Sequence, residues 1–170
     1  MKKGAQFEMS FGMIFSILLI IAFIIVAFIA INSFLGLRCS AEQGLFIKDL
    51  QNKINLIWRV GGADDLFESK INGCNIDYVC FWDPERFGKG RFVSFLEASE
   101  NGFIDFDGEK GKHNLYFYPR RESNIASSLL NHININSSAM PDNPTCYREE
   151  EGIFTIPLKK NLNEDSIRIS

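Results

Sequence analysis

Apolar and polar positions divide this chain into two unlike parts. From Met9 to Leu37 no charged side chain interrupts a run of 29 residues, and its middle reads MIFSILLIIAFIIVAFIAI, with Ser16 as the only hydroxyl. A bilayer core about 30 Å thick needs about 20 helical residues. The run therefore predicts a transmembrane helix over 9–37, behind a short cytoplasmic leader, 1–8. Beyond it the period changes. The segment AEQGLFIKDLQNKINLIW, 41–58, sets Phe46, Leu50, Ile54 and Ile57 or Trp58 at three- and four-residue steps, with polar side chains between them. That spacing predicts an amphipathic helix, weakened near its start by Gly44 and stopped by Gly61-Gly62. Its apolar stripe reads as core, because the strands that follow need a cover.

After the helix the pattern turns to strands. Ile76 to Trp82 (IDYVCFW) is rich in aromatic and β-branched residues and ends before Pro84. Arg91 to Glu100 reads equally as strand or helix. Asn101-Gly102 is a hairpin signal, followed by FIDFD and Asp107-Gly108. Leu115 to Tyr118 reads as a strand stopped by Pro119. Residues 120–151 are polar and loop-like, with a short strand near Ile133–Ile135. Ile153–Leu158 and Ser166–Ile169 read as a closing hairpin, with Pro157 pointing to an edge position. The expected fold class is α+β: an N-terminal transmembrane helix, then an amphipathic helix packed on a small antiparallel sheet. Residues 38–170 form one extracytoplasmic domain, and no internal repeat is visible.

Charge adds orientation and excludes one class of partner. Lys2 and Lys3 precede the apolar run, and Arg38 alone follows it, close to Glu42. The positive-inside rule then places the N-terminus in the cytoplasm and residues 38–170 outside, in a single-pass arrangement at the cell membrane. The chain has a formal charge of −3; setting aside Lys2, Lys3 and Glu8 leaves −4 on the outer part. Nucleic-acid binding begins with phosphate neutralisation. An acidic domain whose basic doublets, Arg120-Arg121 and Lys159-Lys160, stand apart is not expected to bind nucleic acid.

The leader separates three kinds of export signal. A secretory signal has an apolar region of 7–15 residues and a small-residue cleavage site; this run is far longer, and Ile31-Asn32-Ser33 is a poor site. A lipoprotein signal needs a small residue before the lipid-bearing cysteine, whereas Leu37 and Arg38 precede Cys39. The start MKKGAQFEMSFGMIF resembles the class III signal of type IV pilins and pilin-like proteins, particularly the archaeal form. It has a short basic leader, the small residues Gly4 and Ala5, then Gln6, and an acid, Glu8, at the head of a long apolar helix. The resemblance covers about the first 35 residues and implies a cut after Ala5 or after Gly4, with the helix retained. It also implies assembly with other pilin-like subunits through that helix. A carboxylate there is favoured by the helix N-terminus and is costly to bury alone, so a neighbour's new α-amine would pair with it. Glu8 stands third or fourth after the cut, where the family's acid is fifth. A plain uncleaved anchor with Glu8 at the headgroups is the alternative. The combination of this start with CSAEQGLFIKDLQNKINLIW and IDYVCFW also looks like uncharacterised exported proteins of archaeal type.

Candidate chemistry is sparse. Cys39, Cys74, Cys80 and Cys146 all lie in the outer part, and an even count in an exported domain points to disulfides. Zinc is the rival, but zinc sites favour C-x₂₋₄-C pairs, and five residues separate Cys74 from Cys80. If those two share one straight strand, six steps of about 3.3 Å put them out of bonding reach. One bridge then joins Cys146 to Cys74 or Cys80, and Cys39 takes the other; a turn around Asn75 would remove that argument. His113 and His132 have no local nucleophile beside them. Asp105, Asp107 and Glu109 alternate as in a calcium loop, yet the glycine falls fourth rather than sixth, so a solvated turn is expected. Asn136-Ser137-Ser138 is a candidate N-glycosylation sequon. No catalytic constellation and no cofactor is expected. The leading function is a pilin-like display or assembly protein in the bilayer; the rival is a membrane-tethered binding module or small exported enzyme.

Overall fold

The computed structural model describes residues 11–72, 74–83, 87–96, 113–120, 125, 127–135 and 142–169. It is an α+β protein. Helix α1 runs from Phe11 to Arg59. Two helices were the expectation, but no break falls between 37 and 41. The junction holds no proline, and the lone Gly36 costs a helix only about 1 kcal/mol relative to alanine. The chain divides into two compact units, Met1–Leu37 and Arg38–Ser170.

In the first unit the described side chains from Gly12 to Leu37 are exposed throughout, and the helix they belong to is long and apolar enough to cross a membrane. Ser16 turns its hydroxyl back onto the Gly12 carbonyl at 2.8 Å, so its polar group is satisfied within the helix.

In the second unit the helix buries a stripe of Cys39, Gln43, Phe46, Leu50, Ile54 and Ile57. Ile57 rather than Trp58 completes it. The stripe faces two four-stranded sheets. Strands β1 (Ala63–Ser69), β7 (Phe154–Lys160), β8 (Ile167–Ile169) and β5 (Ile133–Asn134) form the first, in the order β1-β7-β8-β5. Strands β4 (Ser127–Ser128), β3 (Leu115–Tyr118), β2 (Tyr78–Phe81) and β6 (Thr145–Arg148) form the second, in the order β4-β3-β2-β6. Phe46 sits where they meet. Its ring makes edge contacts with Phe67 of β1 at 5.4 Å, Phe117 of β3 at 5.8 Å and Phe154 of β7 at 5.9 Å. Such pairs add about 0.5–1.5 kcal/mol each beyond the area they bury.

The second sheet is covered on both faces, which explains its unbroken apolar reading. Val79, Phe81, Leu115 and Phe117 enter the main core. Cys80, Trp82 and Tyr116 form a separate cluster on the other face, with Tyr78, Tyr118, Phe95 and Cys146 against it. A 3-10 turn, Val93–Leu96, supplies Phe95, which stacks on Tyr118 at 3.7 Å and 4°.

Four expectations need correction. The first sheet is mixed, not antiparallel, because β5 pairs parallel with β8. The connection between them passes through β6 and β7, and parallel neighbours need such a long crossover. β1 was not anticipated, since only Phe67 of its seven residues is buried. The loop-like stretch 120–151 holds β4 and β6 as well as the expected β5. Pro157 lies on the interior strand β7. It faces Leu66 on one side, and the described pairing with β8 begins one residue later, at Leu158↔Ile169, so the missing N–H turns toward the end of β8. The hairpin at Asn101-Gly102 and the acids Asp105, Asp107 and Glu109 lie outside the described residues.

Candidate functional site

The four cysteines form two disulfides, Cys39–Cys74 and Cys80–Cys146. This is one of the two arrangements that the straight-strand argument left open, although its premise holds only in part. Cys80 lies on β2, while Cys74 precedes that strand in a bend. Cys80 and Cys146 are register partners on β2 and β6, so their bridge ties two neighbouring strands directly. Cys39–Cys74 fastens the helix to the chain ahead of β2.

The histidines have other side-chain partners than the cysteines. His113 Nδ1 shares a hydrogen bond of 2.9 Å with Ser127 Oγ. His132 stacks on Trp58 at 4.0 Å and 19°. Among the described residues no group of three or more His, Cys, Asp or Glu side chains is placed to hold a metal ion. Gly4, Ala5, Gln6, Glu8 and Asn136 lie outside the described residues.

Sequence reasoning passed over a set of amide side chains that clamp distant backbone. Buried Asn143 accepts from the Asp83 N–H at 3.0 Å and donates to the Asp83 carbonyl at 2.9 Å; its own backbone exchanges two bonds with Lys89. Asn114 does the same with Leu130, at 2.7 and 2.8 Å. From the helix, Gln43 accepts from the Ile125 N–H at 2.9 Å and Gln51 from the Asn131 N–H at 2.8 Å. A buried backbone group left without a partner costs about 1–3 kcal/mol, so Asn143, Asn114 and Gln43, whose bonds are partly buried, do for the short, irregular connections what ladders do for strands; the Gln51 bond is exposed. Gly90 belongs to the same region. It has φ +96°, and a Cβ there would fall on the Asp142 carboxylate, so only glycine fits.

An open groove lies among the described residues of the second unit. It runs between the helix flank and β1, lined by Asp49, Asn52, Lys53, Leu56, Leu66, Phe67 and Glu68. Lys53 Nζ contacts Asp65 at 2.5 Å and Lys159 Nζ contacts Asp64 at 3.2 Å. The Lys53 hydrogen bond, followed by the Leu66 N–H, holds the Asp65 carboxyl below the usual aspartate value. Elsewhere, burial pushes the Tyr147 phenol up to about 12.

No protein-family model, curated protein or solved structure matches the chain. The functional reading therefore rests on its own residues.

Proposed function

We propose that this chain is a single-pass membrane protein with a cytoplasmic N-terminus. Its disulfide-bonded domain stands outside and works by display or by assembly, without an enzymatic role, in the manner of the pilin-like proteins its start resembles. The observation that supports this best is the exposed apolar surface formed by the described side chains between Gly12 and Leu37. Water-exposed apolar surface costs about 25 cal/mol per Å² relative to burial, and a patch of this extent calls for a lipid or protein environment. A helix meets the bilayer's other demand by satisfying its backbone internally. Two disulfides fit an oxidising compartment, which agrees with an exterior location for Arg38–Ser170.

Intact-mass and N-terminal analysis of the native protein tests the reading. Assembly through a processed helix expects a chain beginning at Gln6 or Ala5 and filament-sized particles in sheared surface fractions. A chain that keeps Met1 or Lys2 and stays wholly in detergent-soluble membranes would remove assembly and leave a passive anchor.

A further inference from the structure

The register of β1 against β7 decides which of its backbone groups face outward. Residue pairs in an antiparallel ladder alternate between those that exchange two hydrogen bonds and those that exchange none. Pro157 has no N–H, so its pair with Leu66 is of the second kind. Asp64, Leu66 and Glu68 therefore turn their N–H and C=O groups away from β7. On that side, among the described residues, β1 has no neighbouring strand. The Leu66 N–H shows the consequence: it donates to the carboxylate of Asp65, its own neighbour in the chain, at 2.8 Å.

The surroundings of this edge have a definite chemistry. Leu56 on the helix flank and Leu66 on the strand are both more than half exposed and give the groove an apolar strip. Four carboxylates, Asp49, Asp64, Asp65 and Glu68, stand in or beside it, against Lys53 and Lys159, leaving two negative charges in excess. A second copy of β1 is a poor occupant, because strand-to-strand pairing would set these acids against themselves.

We propose that the β1 edge takes up an extended peptide strand of another protein, in which lysine or arginine alternates with apolar residues. An exposed edge beside a helix is a recurrent geometry for strand addition, in which main-chain bonds give affinity and side-chain pockets give selectivity. The incoming carbonyl takes the Leu66 N–H. Asp65, released from it, joins Asp49 and Glu68 in meeting the incoming cations, so the bond given up is replaced by charge-assisted ones. This inference concerns the second unit alone and does not depend on how the first is anchored.

The test uses the full chain in a non-ionic detergent with three fluorescein-labelled octapeptides, read by anisotropy. One alternates Lys and Val, one alternates Glu and Val, and one is the Lys-Val peptide with alternate backbone nitrogens methylated. The Lys-Val peptide is expected to bind saturably, and the other two at least tenfold more weakly. Leu66→Pro removes an outward N–H and no bond to β7, and should weaken Lys-Val binding tenfold with both disulfides retained. The surface pair Asp49→Lys and Glu68→Lys should reach the same loss while leaving every backbone N–H of β1 in place. Equal binding of the methylated peptide would reduce the interaction to ionic adhesion and overturn strand addition. Equal binding of the Glu-Val peptide, or no saturation by about 1 mM, would overturn it as well.

Discussion

Asp65 is where local electrostatics on this surface are most readily measured. Its carboxyl is held down chiefly by the Lys53 hydrogen bond. A depressed value in the folded protein stabilises the fold at pH above the unfolded value, and that contribution is lost as pH falls through the folded one. Because the group is open to solvent, the effect on stability is small, and the titration itself is the better readout. Carbon-detected NMR should give Asp65 a midpoint below 3.8, and Lys53→Met should move it up toward that value. A midpoint unmoved by Lys53→Met would show that the ion pair does not cause the shift. Neither this pair nor the amide clamps were legible in the sequence. Asn143, Asn114, Gln43 and Gln51 act on backbone groups far away in the chain, and no period or spacing marks an amide for such work. The buried stripe of Phe46, Leu50, Ile54 and Ile57 was legible, because a helix imposes its period on whatever it buries.

Among the elements, legibility followed burial. β3 occupies Leu115–Tyr118 as its aromatic run predicted, and β7 shows the alternation Phe154, Ile156, Leu158. β4, β5 and β6 are two to four residues long and owe their pairing to partners that no local signal reveals. β1 hides behind its own acids, which suit an edge and disguise a strand. The disulfides act at this scale too. They span 35 and 66 residues, loops worth about 4 kcal/mol each in the chain-entropy model and often less in practice. Non-reducing peptide mapping should return Cys39 with Cys74 and Cys80 with Cys146. Replacing Cys80 and Cys146 together by serine should lower unfolding free energy by about 2–5 kcal/mol in urea. Four alkylatable thiols in the native protein would remove both bridges from the account.

For the whole molecule, the decisive property is the apolar surface of the first unit. Arginine at the centre of a membrane helix costs about 2.5–3.5 kcal/mol on insertion scales, and a run this long can slide to keep one such residue near the interface. Ile21→Arg together with Ile24→Arg leaves no such escape, and the doubly substituted chain should be released from membranes by alkaline carbonate. Unchanged retention would sink the transmembrane assignment. The long apolar helix was legible, since length and uninterrupted apolarity are written in consecutive residues. The two-sheet arrangement was not, because it depends on pairings between segments far apart in the chain.

Two such pairings bear on how the protein is made. Among the described residues, the strand that follows the helix pairs with β7 alone, and β5 with β8 alone. Among the described residues, by contrast, every strand of the second sheet is complete by Arg148. As the chain emerges from the ribosome, the second sheet and its Cys80–Cys146 bridge can close while β1 and β5 still wait. Pairings between distant segments form slowly and leave strand edges open meanwhile. During that interval, pairing of one β1 edge with another would set Asp64, Asp65 and Glu68 against like charges, which disfavours association with its own kind.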